Sequence, residues 1–303
     1  MRERLAGTLD YVFGEVGEAL GVDRAEAARV ISEIRAGPQS PNRFGAYYEM
    51  VLAIEGEELD EARALAAELM APTDAEGLRV AAIEDRGPRQ AERLRRLLIS
   101  EPGMAAQPDD ALLADTIERI DSAFALLDRG FPEMSAEIRE LLREIVIAAG
   151  PEDPKAITFD GASSYMLWGA TLLNARGQAN VLDTAQALAH ESGHNLLFGF
   201  CTSDSLVENA DEEVFSSPLR KDPRPMDGVF HATYVVARMH QTLTRLLAAG
   251  VVSNADREHA LADLAAHQRN FAAGDQVVRE HGRLTPLGAE VIETARAYMA
   301  SAS

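Results

Sequence analysis

At 303 residues, with 47% hydrophobic and 26% charged side chains, the chain has the make-up of a globular protein with a substantial core, which excludes wholesale disorder. Forty-nine acidic against 29 basic residues give a net charge of -20, which argues against nucleic acid or an anionic membrane surface as partner. A single cysteine, Cys201, excludes an internal disulfide, and the chain lacks both a signal-peptide pattern and the ~20-residue apolar run of a membrane span, so a soluble cytoplasmic protein is expected.

The first half reads as amphipathic helices. Apolar residues recur at three- and four-residue spacing over 25–34, 59–70 and 111–127, with breaks at Gly37-Pro38, Pro41-Asn42, Pro72, Gly87-Pro88 and Pro102-Gly103. Little in it suggests strands, and no chemical motif occurs there. Pro108-Asp109-Asp110 supplies a helix start with acids where the helix dipole favours them, and a further helix is expected over 135–149, ending at Gly150-Pro151. Beyond it, residues 156–159 and 165–174 are rich in β-favouring and apolar side chains around the turn-prone pair Asp160-Gly161, and are expected to be two short strands.

Asp183-Thr184 then caps a helix reading AQALAHESGHNLLFG. Residues 202–224 are polar and proline-containing, as in a long loop lying over a site. A second strong helix follows over 227–248, with two more over 254–278 and 285–300 separated by Gly282. The expected fold class is therefore α+β, mainly helical with a small sheet: a helical portion over 1–150 and a metal-binding catalytic domain over 151–303.

The chemistry centres on His190-Glu191-Ser192-Gly193-His194. Histidines four apart on a helix stand on one face, one turn apart, so both imidazoles can reach one ion. Glu191 is rotated about 100 degrees from His190, where it can address a metal-bound water rather than the metal, as the general base of a zinc hydrolase does. The competing reading is two surface histidines on an acidic helix. Gly193 speaks against it, because glycine costs a helix roughly 1 kcal/mol relative to alanine and implies that the space is needed.

A third ligand must come from elsewhere. Candidates are Glu208, Asp211, Glu212 and Glu213 in the loop, then Asp227 and His231 on the next helix. In gluzincin-like folds this ligand sits on a following helix, and the matching position here is most naturally His231, with Asp227 one turn earlier able to hold its free ring nitrogen. His240, His259, His267 and His281 have no comparable spacing and are expected to be structural or exposed.

The blocks FDGASSYMLWGATLLN, ALAHESGHNLLFG and SPLRKDPRPMDGVFHATYVVARM, in that order, resemble the HExxH-domain proteins that modify ribosomally made peptides, in particular those described as 2-oxoglutarate-dependent peptide β-hydroxylases. The resemblance covers residues 159–239. It implies a zincin-like core holding Fe(II) in place of Zn, with 2-oxoglutarate and dioxygen as co-substrates and a precursor peptide as partner. It also implies His190, His194 and His231 as metal ligands and Glu191 as the acid of the motif.

A dianionic co-substrate needs a cation for its distal carboxylate. Arg220, Lys221 and Arg224 precede His231, and Arg238 follows it by two turns on nearly the same helix face, so Arg224, Arg238 and Arg220 are the candidates. The strand around 166–173 is a candidate edge for pairing with an extended peptide. Because the motif by itself does not separate oxygenase from hydrolase, a zinc metallopeptidase with Glu191 as general base stands as the alternative.

Overall fold

The computed structural model describes residues 1–72, 77–99, 104–153, 159–217, 219 and 222–302. In chain order its elements are α1 (Arg2–Val16), α2 (Arg24–Ala36), α3 (Pro41–Glu55), α4 (Leu59–Met70), β1 (Arg79–Ala82), α5 (Pro88–Leu98), α6 (Asp110–Gly130), α7 (Pro132–Leu141) and β2 (Glu144–Ala148). There follow β3 (Gly161–Ala162), a 3-10 turn at Tyr165–Leu167, β4 (Ala170–Asn174), α8 (Val181–Phe200), β5 (Val214–Phe215), β6 (Arg224–Pro225), α9 (Met226–Ala248), α10 (Arg257–His281) and α11 (Pro286–Ser301). The protein is mainly helical with a small mixed sheet.

Helix starts follow local chemistry. Asp23 accepts from the Ala25 and Glu26 amides at the head of α2, and Asp109 from the Leu112 amide at the head of α6. Pro41, Pro88 and Pro286 occupy the first turns of α3, α5 and α11, where a missing N–H is no loss.

The chain forms two compact units, each built from two stretches of sequence: Met1–Pro108 with Leu142–Leu172, and Asp109–Leu141 with Leu173–Ser303. The break expected at residue 150 therefore falls inside a stretch of the first unit. In that unit α1 to α4 bury Leu5, Leu9, Val30, Ile34, Met50, Leu65 and Leu69 in one core. Arg93 of α5 is only 1% exposed, and is neutralised by Glu49 at 2.7 Å and Glu68 at 2.6 Å. Gly45 admits it, since a Cβ there would lie 2.7 Å from the Arg93 Cδ.

The sheet order is β1-β2-β4-β3, with β1 parallel to β2. Residues 135–149 are not the single helix expected: α7 stops at Leu141 and 144–148 is β2, buried at each position. Ile145, Val146 and Ile147 are apolar in succession and β-branched, which suits a strand covered on both faces better than a helix. β1 lies in the half where no strand was expected, and its four residues gain their structure by pairing with β2. Of the expected strands, residues 154–158 lie outside the described residues. In 165–174 the first three residues are the 3-10 turn, Gly169 follows with φ 91°, and only β4 is extended. β4 lies between β2 and β3, so the edge pairing foreseen for an added peptide strand is already taken.

In the second unit α9 is the central helix, packed against α8, α10 and α11, with Val229, Phe230, Val235, Val236 and Leu243 fully buried. The segment expected as one long loop is tied down at several points. Thr285 donates from Oγ1 to the Ser205 carbonyl at 2.8 Å and from its amide to the Leu206 carbonyl at 3.2 Å. Arg283 pairs with Glu213 at 2.5 Å, and β5 pairs antiparallel with β6. Among the described residues no helix is long and apolar enough to cross a membrane.

Gly288, in the first turn of α11, permits this docking, because a Cβ there would lie 1.9 Å from the Leu206 carbonyl oxygen. Both atoms involved are held in backbone, so neither yields cheaply. Gly288→Ala is expected to destabilise the protein by about 2 to 4 kcal/mol, read as a lower urea midpoint. A midpoint equal to that of the wild type would mean that residues 205–207 are not fixed against α11.

Candidate metal centre

α8 carries the motif as an unbroken helix started by Asn180, whose side chain accepts from the Asp183 amide at 2.9 Å. The cap is thus three residues earlier than Asp183, which sits in the first turn instead. His190 and His194 lie on one face with their Nε2 atoms 3.1 Å apart and ring centroids 4.8 Å apart. The expected third residue joins them: His231 of α9, 5% exposed, stacks on His194 with centroids 5.4 Å apart and the two Nδ1 atoms 3.1 Å apart. Phe198, one turn beyond His194, lies against both rings at 6.3 and 5.3 Å and forms an apolar wall.

His194 is the middle of the three. It meets His190 through Nε2 and His231 through Nδ1, and an imidazole gives only one nitrogen to a given ion, so the rings form a line of neighbours rather than a closed ring of donors. Three imidazoles are a donor set that suits a divalent transition metal, but as the rings stand one ion faces His194 together with either His190 or His231, and closing all three on it requires a ring to turn. Two donors about 2.1 Å from one ion lie roughly 3 to 3.5 Å apart, which matches each neighbouring pair. Desolvation, with the neighbouring His231 adding to it, holds His194 down to about 3; desolvation alone brings His231 to about 4. Both imidazoles are therefore neutral at pH 7, the form that ligates a metal.

Glu191 is 3% exposed, with Oε1 3.9 Å from the Nε2 of His190 that faces His194. It stands beside the ring nitrogens rather than out in solvent. Asp227 comes to 3.7 Å from Nε2 of His231, which is an ion-pair distance and longer than a hydrogen bond. His231 thus turns Nδ1 to His194 and Nε2 toward the acid.

The loop carboxylates take other partners or face solvent. Glu213 is held by the Arg283 guanidinium and the Ala210 amide, which bring its carboxyl down to about 2. Glu208, Asp211 and Glu212 are exposed. Burial, with Asp227 and Asp204 nearby, pushes the Cys201 thiol up to about 11, so it stays protonated.

The candidate arginines separate. Arg220 and Lys221 lie outside the described residues. Arg238 is 8% exposed and crosses α8, donating to the Ala189 carbonyl and Ser192 Oγ at 3.3 Å and pairing with Glu137 at 2.5 Å. Gly193 makes this crossing possible: a Cβ would stand 2.9 Å from Arg238 Cδ and 3.0 Å from Val235 Cγ1. Arg224, in β6 just before α9, pairs with Asp222 at 2.9 Å and leaves its buried Nε without a hydrogen-bond partner.

One group escaped the reading of the sequence. Asp183, His259 and Asp263 bring their ligating atoms within 4.8 Å of one another. The pair on α10 has four-residue spacing, but Asp183 lies 76 positions away from His259, so only the fold assembles it. Behind it Gln186 donates to Asp263 at 2.9 Å and accepts from His267 Nε2 at 2.7 Å.

No protein-family model matches the chain, and comparison with characterised proteins gave no match.

Gly193→Ala removes a helix-weakening residue yet is expected to lower the melting temperature, because overpacking against a buried arginine costs about 1 to 3 kcal/mol and outweighs the ~1 kcal/mol of helix propensity. A rise in melting temperature would refute the close crossing.

His267 gives a pH dependence whose sign is determined. Desolvation, opposed by Asp263, leaves it at about 4 in the folded protein. The unfolded chain binds a proton near 6.5, so stability is constant above that pH and falls as pH drops toward 4. In metal-depleted protein His267→Gln should reduce the loss between pH 7 and pH 5 by roughly 1 to 2 kcal/mol, measured by urea unfolding at both values. An undiminished loss would mean that His267 is protonated in the fold.

Proposed function

We propose that the protein is a non-haem iron oxygenase that uses 2-oxoglutarate and dioxygen to hydroxylate the β-carbon of a side chain in a ribosomally made precursor peptide, on a zincin-like core. The observation that carries the reading is the identity of the third residue at the motif: His231 stands at 3.1 Å from His194, while Glu213 is bound by Arg283. A third imidazole with no carboxylate leaves a bound dication its full positive charge, which suits a dianionic co-substrate. The order of the three sequence blocks adds the substrate class.

His190, His194 and His231 would hold the metal. Fe(II) bound there supplies one-electron chemistry with dioxygen that no side chain provides. The neutral imidazoles offer lone pairs without first losing protons. Phe198 keeps water from one side of His194 and His231. Arg224 is the cation for the distal carboxylate of 2-oxoglutarate, since its buried Nε has no hydrogen-bond partner and its ion pair is with the exposed Asp222, whereas Arg238 is already committed to α8 and Glu137. Glu191 accepts a proton or fixes a water beside His190.

A second reading, a zinc metallopeptidase, has its own supporting observation: the buried Glu191 carboxylate 3.9 Å from His190 is placed as a general base would be. The two are separated by anaerobic reconstitution with Fe(II), then addition of 2-oxoglutarate, air and the precursor peptide encoded beside the gene. Succinate and a peptide heavier by one oxygen atom are expected. His231→Ala should abolish both along with iron content, and Arg224→Leu should raise the KM for 2-oxoglutarate by roughly 10- to 100-fold. Cleaved peptide without succinate, lost in Glu191→Gln at unchanged metal content, would establish the peptidase instead.

A further inference from the structure

We infer that Asp183, His259 and Asp263 form a second cation site, separate from the histidine cluster, that takes a divalent transition metal and pins the start of α8 to α10. The inference is independent of the oxygenase reading.

Three observations carry it. The first is distance. His259 Nε2 lies 2.8 Å from Asp183 Oδ1 and 3.4 Å from Asp263 Oδ2, and all three ligand atoms are within 4.8 Å of one another. Donors around one ion with bonds of about 2.0 to 2.2 Å are separated by roughly 3 to 3.5 Å, so His259 and Asp263 stand at that spacing and Asp183, hydrogen-bonded to His259, needs a shift of well under a side-chain length to join them. His259 and Asp263 are one turn apart on α10, and Asp183 comes across from the first turn of α8.

The second is charge. Several carboxylates elsewhere are matched by arginine: Glu49 and Glu68 by Arg93, Asp275 by Arg279 and Arg296, Glu213 by Arg283. Among the described residues no arginine or lysine pairs with Asp183 or Asp263. Their partner is one imidazole, which also feels Asp256, and its affinity for a proton is raised chiefly by the hydrogen bond to Asp183. One proton neutralises a single charge of this group. A dication placed between the same oxygens neutralises two, in a chain whose net charge is -20.

The third is orientation from behind. Gln186, 6% exposed, donates to Asp263 Oδ2, and His267, 9% exposed, fixes the Gln186 amide by bonding its oxygen. Carboxylates that ligate metals are commonly held by hydrogen bonds of this kind, which point the remaining lone pairs forward. The mixed donor set of one imidazole and two carboxylates suits zinc or manganese better than calcium or magnesium, which prefer oxygen alone. His259 is half-exposed, so water completes the coordination and the site needs no deep entry path.

Asp183 is seven residues before His190, two helical turns and about 10 Å along the same face of α8. A cation here holds the beginning of the helix whose later turns present His190 and His194.

The test counts metal equivalents. Chelator-treated wild type, His259→Ala and Asp263→Asn are each titrated with Zn(II), desalted and assayed for bound metal by mass spectrometry. The replaced side chains are partly exposed, and far-UV circular dichroism checks their folding. Each variant should bind one equivalent fewer than wild type: one against two if the histidine cluster also binds zinc, none against one if it does not. The difference of one tests this site whatever happens at the other.

As a second readout, saturating Zn(II) should raise the melting temperature of His190→Ala/His194→Ala protein by roughly 5 °C. That rise should vanish when His259→Ala is added. Equal equivalents in wild type and variants, or a rise that survives His259→Ala, would overturn the inference.

Discussion

The site depends on one close crossing. At Gly193 helix α8 carries no side chain, and Arg238 and Val235 of α9 occupy the space a Cβ would fill. Arg238 follows His231 by two turns and Gly193 precedes His194 by one residue, so the contact that brings the helix axes together also sets how near His231 stands to His194. The arrangement is demanding, because a buried guanidinium must be satisfied. Glu137 of α7, the Ala189 carbonyl and Ser192 do so. The guanidinium is nearly buried while Glu137 is half-exposed, so the crossing is held by packing around Arg238 and by hydrogen bonds to α8 as much as by the ion pair.

Electrostatics then divides the molecule. Elsewhere among the described residues arginines are set against carboxylates, as Arg93 is against Glu49 and Glu68, whereas in the histidine cluster the imidazoles of His194 and His231 are held neutral. Burial makes protonation of His194 and His231 costly, so their lone pairs remain available. Two carboxylates come near, Glu191 of the motif beside His190 and Asp227 beside His231. At the aspartates at the start of α8 and on α10 a single histidine stands between two carboxylates.

Much of this was legible in order of range. The helices α2, α4, α6, α8 and α9 follow their apolar periodicity, and Asp109 caps α6 where the sequence placed a helix start, whereas α8 starts at Asn180 rather than at the expected Asp183. The strands were harder. β1 and β2 are four and five residues long, and their residues become strands because they pair with each other across 65 positions (Arg79 with Glu144), a distance over which local pattern carries no information.

The motif by itself determined that two imidazoles share a helix face with an acid beside them, because 3.6-residue periodicity places them there regardless of context. It also foretold the need for space at Gly193. Only the tertiary structure decided which side chain fills that space, chose His231 among the candidates for third neighbour, and committed Arg238 to an ion pair with Glu137. It alone assembled Asp183 with His259 and Asp263. The physical reason is the same in each case: side-chain spacing within one helix is set by backbone hydrogen bonds, whereas contacts between helices are set by packing and by satisfying buried charge.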